Sequence, residues 1–292
     1  MPKRQGNSGM TRGRIIFAVF LLFIVFIIAD VYVETNIPVL SKINLQTSKL
    51  PEGTSLKILQ ITDVHDKGFV KNDSRLLELV KKSDADMLVI TGDLADRSAM
   101  DFTNILSLSS DLKAQIPDVF YVPGNHEQSK PMMKDLYEGL SSLGIKVLMD
   151  SGTVYKKGDV KVNICGINFP FRETNFESGP AAEKKALRKA LYGIDTESYT
   201  VLLSHSPRIV YSVSGKPFDL ILSGHTHGGQ VRFPFIGSIF RFDSDFFGEY
   251  DKGLFKLDSG AVLYVDSGLG TSILPVRFCD RADITLITIN GK

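Results

Sequence analysis

The sequence predicts a layered α/β domain carried behind one membrane-spanning helix. Two observations support this. From residue 54 onward, short β-rich apolar runs alternate with amphipathic helical stretches and then give way to further strands, the pattern of strands and helices packed in layers. Ahead of them, an unbroken apolar run follows a basic N-terminus. The 292 residues, 43% of them hydrophobic, can bury one good-sized core or at most two small ones.

Residues 1–14 form the basic tail, with Lys3, Arg4, Arg12 and Arg14, and residues 15–33 the anchor. Ile15 to Ala29 is wholly apolar, and Asp30 is followed by Val31, Tyr32 and Val33. As a helix, this stretch measures about 28 Å at about 1.5 Å per residue, just enough to span a bilayer. The competing reading is a cleaved signal peptide. Its small-x-small site is poor, because Ile27 and Ile28 precede Ala29. The expectation is an uncleaved, single-pass anchor in the cell membrane, its basic end cytoplasmic and the rest of the chain outside. No twin-arginine pair points to that export route. Residues 34–53 are polar, with Pro38 and Pro51, and read as a tether to a domain over 54–292.

Within that domain Leu56–Ile61 reads as a strand, Arg75–Val80 as part of an amphipathic helix and Met87–Ile90 as a second strand. Phe102–Leu112 is a helix, Val119–Val122 a strand and Met132–Leu143 a helix. Three strands follow Gly144, at Lys146–Met149, Thr153–Lys156 and Val160–Ile167. Ala181–Leu191 is helical by its Ala, Lys, Glu and Leu content. Thr200–Leu203 and Leu220–Leu222 are short strands, and Val231–Ile289 is β-rich with glycine turns.

The polar residues just past these strands form a regular set. Asp63 and His65 follow the first strand, and Gly92, Asp93 and Asp96 the second. Gly124, Asn125, His126 and Glu127 follow the third; His205 follows the Thr200 strand, and Gly224, His225 and His227 the Leu220 strand. In open α/β sheets the ligand crevice lies beyond the carboxyl ends of the strands. All five histidines fall in this set, leaving none for the surface or core. In extended segments Asp63 and His65, and likewise His225 and His227, point the same way. Asp63, His65, Asp93, Asn125, His205, His225 and His227 exceed what one ion can take and are enough for two sharing a carboxylate. Nitrogen and oxygen donors without thiolate suit Mn, Fe or Zn. The two aspartates leave a two-ion site net positive, which suits a bridging hydroxide and a phosphate anion. Two such ions can activate a water and stabilise both the attacking and the leaving oxygen.

Asp63-Val64-His65, Gly92-Asp93-Leu94-Ala95-Asp96, Gly124-Asn125-His126-Glu127, His205 and Gly224-His225-Thr226-His227 together resemble the calcineurin-like metallophosphoesterase signature, in family order. The likeness runs over roughly residues 56–290. The Gly224–Pro234 segment and the Gly268–Ile289 tail resemble the bacterial branch with an N-terminal export or anchor segment. The resemblance implies two β-sheets sandwiched between helical layers, and two divalent ions. Asp63, His65, Asp93 and His227 would hold one ion, and Asp93, Asn125, His205 and His225 the other, with Asp93 bridging. His126 would face the substrate without ligating. Asp66 and Lys67 after His65 are a departure, read as a solvated turn or an extra carboxylate at the entrance.

Asp96 and Glu127 read as residues that orient the ligands. Arg97, Arg172, Arg232 and Arg277 lie near the motifs and could meet a phosphate, although surface ion pairing is the commoner role. Gly228-Gly229 and Gly268-Leu269-Gly270 read as tight turns. Cys165 and Cys279 show no zinc-binding or disulfide-framework spacing, and Cys165 reads as core.

The expected activity is hydrolysis of a phosphomonoester, phosphodiester or pyrophosphate bond. A non-catalytic metal-binding membrane module is the alternative, and a non-ligating His126 argues against it. Net charge of +1 argues against nucleic acid as partner. Phe233, Phe235, Phe240, Phe242, Phe246 and Phe247 crowd one segment after His227. Such density reads as core, yet Pro234, Gly237 and Gly248 break it into surface loops. An exposed apolar patch there would dock an envelope lipid or lipid-linked substrate; packed phenylalanines would leave a soluble or wall-bound phosphoester.

Overall fold

The computed structural model describes residues 8–66, 74–128, 132–169, 180–238, 249–272 and 274–292. Lys67, Arg172, Phe240, Phe242, Phe246 and Phe247 lie outside them. In chain order the elements are α1 (Ser8–Asn36), β1 (Val39–Thr47), β2 (Ser55–Ile61), α2 (Ser74–Ser83), β3 (Met87–Thr91), α3 (Thr103–Gln115), β4 (Val119–Val122), α4 (Met133–Ser142), β5 (Lys146–Val147), β6 (Ser151–Lys157) and β7 (Val160–Gly166). Then come α5 (Pro180–Ala190), β8 (Tyr199–Leu203), β9 (Leu220–Ser223), β10 (Arg232–Phe233), β11 (Gly237–Ser238), β12 (Gly253–Lys256), β13 (Val262–Val265) and β14 (Asp283–Gly291).

Alternation along the strands builds the layers. On β2, Leu56 and Ile58 enter an inner core while Leu59 and Ile61 face outward onto helices. The first sheet runs β1-β14-β2-β3-β4-β5 and the second β12-β13-β9-β8-β7-β6. The inner core joins the two: Val89, Phe120 and Ile287 meet Val162, Val201 and Leu222. Helices α2, α3 and α4 cover the first sheet's outer face through Leu76, Ile105 and Leu136. On the second sheet α5 does the same, with Leu187 and Ala190 packed on Cys165 and Leu202. The expected two-sheet sandwich between helical layers is therefore the observed architecture. Helix α2 shows why it forms: Leu76, Leu79, Val80 and Ser83 are its buried residues, one stripe at helical spacing.

The N-terminal region differs from the expected tether. Residues 39–47 form β1, parallel to β14 in the register Val39↔Asp283 to Thr47↔Gly291. Lys42, Asn44 and Gln46, on alternate positions, give this edge strand a polar look, which is why composition alone reads it as a linker. Lys146–Met149 is likewise shorter as a strand, only Lys146–Val147. Helix α1 carries a segment, Arg12–Asn36, long and apolar enough to cross a membrane, and none of its most apolar window is buried. A soluble core helix of that composition would be covered. Its last turns are tied to the domain: Cys279 N donates to Asp30 Oδ2 (3.3 Å), Ala282 N to Glu34 O (2.9 Å) and Arg277 N to Thr35 Oγ1 (2.8 Å).

Just past β13, Asp266 is fully buried, and neither its Oδ2 nor the Oδ1 of Asp283 has a hydrogen-bond partner. Burial, and then the Asp283 carboxylate, push the Asp266 carboxyl well above the usual range. The folded state thus keeps a proton that the unfolded chain releases near pH ~4. The stability this contributes is complete below that value and is lost as pH rises through the raised pKa. Asp266→Asn is expected to melt like the parent at about pH 4 and to be more stable by about 1–3 kcal/mol at about pH 8. Thermal melts across that range check it; a parent curve parallel to the variant's would contradict it.

Candidate metal centre

Strands β2, β3 and β4 run parallel in one sheet, and β8 and β9 parallel in the other, so each set delivers its carboxyl ends to one rim. Gln60 joins the two rims, donating from Nε2 to Thr91 Oγ1 and Ser223 O, both at 2.9 Å. The chain then turns abruptly. Asp63 (φ 53°), His65 (51°), Asp93 (51°), His225 (75°) and His227 (51°) all have left-handed backbone. That conformation costs about 1–2 kcal/mol for an ordinary residue and least for Asp, Asn and His. Backbone hydrogen bonds hold it: Asp63 N to Gly92 O (3.0 Å), His65 N to Asp93 O (3.1 Å) and Gln230 N to His227 O (2.9 Å). Two glycines admit the close approach. A Cβ on Gly124 would overlap Asp93 Oδ1, and one on Gly224 would overlap Thr62 Oγ1 and Asp63 Oδ2.

The side chains gather in two groups that share Asp93. In one, His65 Nε2 lies 3.1 Å from His227 Nε2, and the two stand 3.8 and 3.4 Å from Asp63 Oδ1. In the other, His205 Nε2 lies 3.1 Å from both Asn125 Oδ1 and His225 Nδ1. Asp93 Oδ2 faces both, 3.5 Å from His65 Nε2 and 3.3 Å from His205 Nε2.

The donor chemistry fits a cation in each group. His205 Nδ1 meets the Thr91 carbonyl at 2.8 Å, which can only accept, so Nδ1 carries the hydrogen. In the neutral ring Nε2 is then a lone pair, directed at Asn125 Oδ1, Asp93 Oδ2 and His225 Nδ1. Two oxygens, Asn125 Oδ1 and Asp93 Oδ2, converging on a lone pair call for a positive charge between them. Without a metal a proton takes that role. Burial alone would depress His205, but the Asp93 carboxylate outweighs it and lifts the ring to about 10. Burial drives His227 down to about 3 despite Asp63, so this ring is a neutral donor at physiological pH. Burial also opposes ionisation of Asp63, yet His227, His65 and His205 hold its carboxyl below the ordinary range.

His126 stands at the mouth. Its side chain is 17% exposed, against 3% for His65 and none for His205. Its own N–H donates to Asp93 Oδ1 (3.0 Å), and its Nδ1 accepts from Arg97 N (3.0 Å). The neutral ring therefore keeps its proton on Nε2, 3.9 Å from Asp93 Oδ2. Burial, with His65 and Arg97, lowers its pKa against the pull of Asp93 and Asp96. His126 is also close enough to His65 and Asp93 to complete a third possible ligand trio, beside Asp63–His65–His227 and Asp93–His205–His225.

Glu127 locks the β3 and β4 turns together, accepting from Asp93 N (3.0 Å), Gly124 N (2.8 Å) and Ala95 N (2.8 Å). Burial and the nearby Asp93 raise it to about 7. Asp96 lies 3.6 Å from His126 Nδ1 and 3.9 Å from His65 Nδ1. Asp66 is exposed and accepts from Asp96 N at 3.1 Å.

Two of the arginines turn away from any phosphate. Arg277 is fully buried, donating to Gly270 O (3.0 and 2.7 Å), Ser267 O (2.6 Å), Asp280 Oδ2 (3.1 Å) and His227 O (3.5 Å). Arg232 binds Gly228 O and Asp251 Oδ2, both at 2.7 Å. Arg97 remains exposed beside His126. Sequence reasoning missed Thr62, whose hydroxyl reaches Asp63 Oδ2 at 2.8 Å, and Phe169, whose ring lies 5.8 and 5.7 Å from those of His205 and His225. Nothing in the pattern marked either. Arg277 did have a signal: the glycine turn 268–270 strands carbonyls that need a donor, and arginine has five.

Residues 56–229 match the model of the calcineurin-like phosphoesterase family. The chain belongs to that family. This calcineurin-like phosphoesterase is 32% identical over 272 residues to an uncharacterized metallophosphoesterase of Aquifex aeolicus, covering 89% of this chain and 95% of that protein. A Helicobacter pylori protein of the same description is 31% identical over 81% of this chain, which spans only 60% of its length. A Danio rerio transmembrane protein with metallophosphoesterase domain is 27% identical over 98% of this chain and 65% of its own. Among solved structures, TT1561 of Thermus thermophilus shares the fold at a TM-score of 0.51 and 13% identity, over 74% of this chain and 91% of that one. Membership makes the domain a metal-dependent phosphoester hydrolase, with Asp and His clusters able to hold metal.

Since Gly124 leaves no room for a Cβ against the Asp93 carboxylate, Gly124→Ala is expected to weaken metal binding by about 10–100-fold, the usual effect of displacing a ligand's support. Metal titration of the apo-protein checks it, with a thermal melt alongside; unchanged affinity would show that the turn tolerates a shifted Asp93.

Proposed function

We propose that the chain hydrolyses a phosphodiester, phosphomonoester or pyrophosphate bond with two divalent ions, Mn, Fe or Zn. Asp63, His65, Asp93 and His227 hold one ion; Asp93, Asn125, His205 and His225 hold the other. The observation that carries this reading is the position of Asp93 Oδ2, within 3.5 Å of both histidine groups. Bound ions supply Lewis-acid charge to the phosphoryl oxygens and lower the pKa of an attacking water. His126 keeps a proton on Nε2 at the exposed mouth, where a leaving oxygen can take it. Glu127 and Thr62 hold the aspartates in place and touch no substrate.

The expected substrate is an envelope lipid or lipid-linked phosphoester. Exposed Phe233, Phe235 and Ile236 close to His227, together with the uncovered α1, support that choice. The basic flank of α1 supports an extracytoplasmic domain. Hydrogen bonds that Asp30 and Thr35 accept from the Cys279 and Arg277 amides support retention of the segment after Ala29.

Asp93→Ala is expected to abolish turnover and to bring bound metal well below two ions per chain; two ions retained in elemental analysis would end the shared-carboxylate assignment. His126→Ala should leave metal content nearly intact and lower turnover by about 10²–10⁴. Parallel loss of metal would make His126 a ligand. Assays on an aryl phosphodiester and on a phosphoester lipid in mixed micelles separate the substrate classes, and absence of lipid turnover leaves the soluble or wall-bound substrate. External protease on spheroplasts checks the topology, a protected domain contradicting it.

A further inference from the structure

The β10–β11 hairpin projects apolar side chains into solvent: Phe233 is 40% exposed, Ile236 75%, and Phe235 fully. Apolar side chains exposed side by side mark an interaction surface. The position of this one beside α1 indicates its partner. Arg232 N donates to Phe278 O (3.0 Å), Phe278 N donates to Gln230 O (2.8 Å), and the Phe233 and Phe278 rings lie 5.7 Å apart. The next residue, Cys279, donates its N–H to Asp30 of α1. The height of this strip relative to α1 is therefore fixed.

That height is the end of the apolar run. Ile15 to Ala29 is uninterrupted, and Asp30 is its first ionisable residue. A carboxylate at the boundary of a bilayer is costly unless it finds a donor, and Cys279 N supplies one. If α1 crosses a membrane, Cys279 and Phe278 lie at the lipid–water interface. The hairpin tip, two residues beyond Phe233, is then within about 7 Å of that level. Aromatic side chains favour this depth.

We propose that Phe235 and Ile236 insert into the interface of the bilayer that holds α1, making a second membrane contact. The contact fixes the rotation of the domain about its anchor. It also presses the metal-centre rim to the lipid surface, because Arg232 at the hairpin root binds Gly228 O, one residue past His227. The proposal rests on α1 being a membrane helix; it is independent of the metal chemistry.

The chain contains no tryptophan, so a single introduced one reports alone. Full-length Phe235→Trp is reconstituted in vesicles of phosphatidylcholine and phosphatidylglycerol, with Ile236→Trp as a second reporter. Tyr192→Trp is the control; this residue is 89% exposed and follows α5, which packs on the far-edge strand β6. The expected result is blue-shifted emission from both hairpin reporters, mostly lost when the lipids carry bromine near the head of the acyl chain. The control keeps its intensity. Hairpin emission as red and unquenched as the control's overturns the proposal. Release of the chain by alkaline carbonate overturns it too, by removing α1 from the bilayer. Neither readout depends on hydrolysis, so an inactive but quenched protein fails the functional reading alone.

Discussion

A buried carboxylate that cannot neutralise itself governs the site. Asp93 is 1% exposed, and an isolated ionised carboxylate at that depth would simply take up a proton. Here its Oδ1 accepts the His126 amide, its Oδ2 faces His65 and His205, and its own N–H is bound by Glu127. The histidines hold the carboxyl below the ordinary range against burial. The arrangement is complete only with positive charge at its centre, which protons supply in the apo-protein and which bound metal would supply in their place. The ends of β2, β4 and β8 bring His65, His126 and His205 around Asp93 Oδ2, and the Gly124 turn makes room for its carboxylate.

The same demand explains the strained backbone. Five site residues in the left-handed region cost together on the order of 5–10 kcal/mol by the ordinary-residue figure, comparable with the ~5–15 kcal/mol stability of a whole domain. The residues concerned are Asp and His, the types that tolerate the region best, so the actual cost lies toward the lower end. Buried strands on both sides offset it, as does the support of Glu127 and Arg277, each holding backbone groups that would otherwise be orphaned.

Much of the architecture was legible because periodicity and motif placement are local properties. The α2 stripe, the apolar strand runs and the polar residues past each strand can be read without knowing what packs on what. Features set by long-range pairing were not legible. Strand β1 reads as polar linker until β14, more than two hundred residues away, provides its partner. Arg277 near a glycine turn looks like a phosphate ligand until the carbonyls of Ser267 and Gly270 are seen to enclose it. Thr62 and Phe169 acquire meaning only from the two rims meeting. Four of the crowded phenylalanines fall outside the described residues, and Phe233 and Phe235 side with the loop reading over the core reading.

The path from Asp30 to His227 draws anchor and chemistry into one body. Helix α1 ends on the strip 277–282, this strip pairs with the hairpin root, and Arg277 and Arg232 close on the carbonyls of His227 and Gly228. A tether would have let the domain sample every orientation, leaving access to a lipid headgroup a matter of chance encounter. A short, hydrogen-bonded connection through β1 removes that freedom. Such a connection suits a domain whose substrate approaches from a defined direction. For a freely diffusing phosphoester the same rigidity would be neutral at best, since the rim would receive it from any side. The bonds that join α1 to the strip 277–282 and that strip to His227 thus fix the metal-centre rim relative to α1, and would fix it relative to any bilayer that α1 crosses.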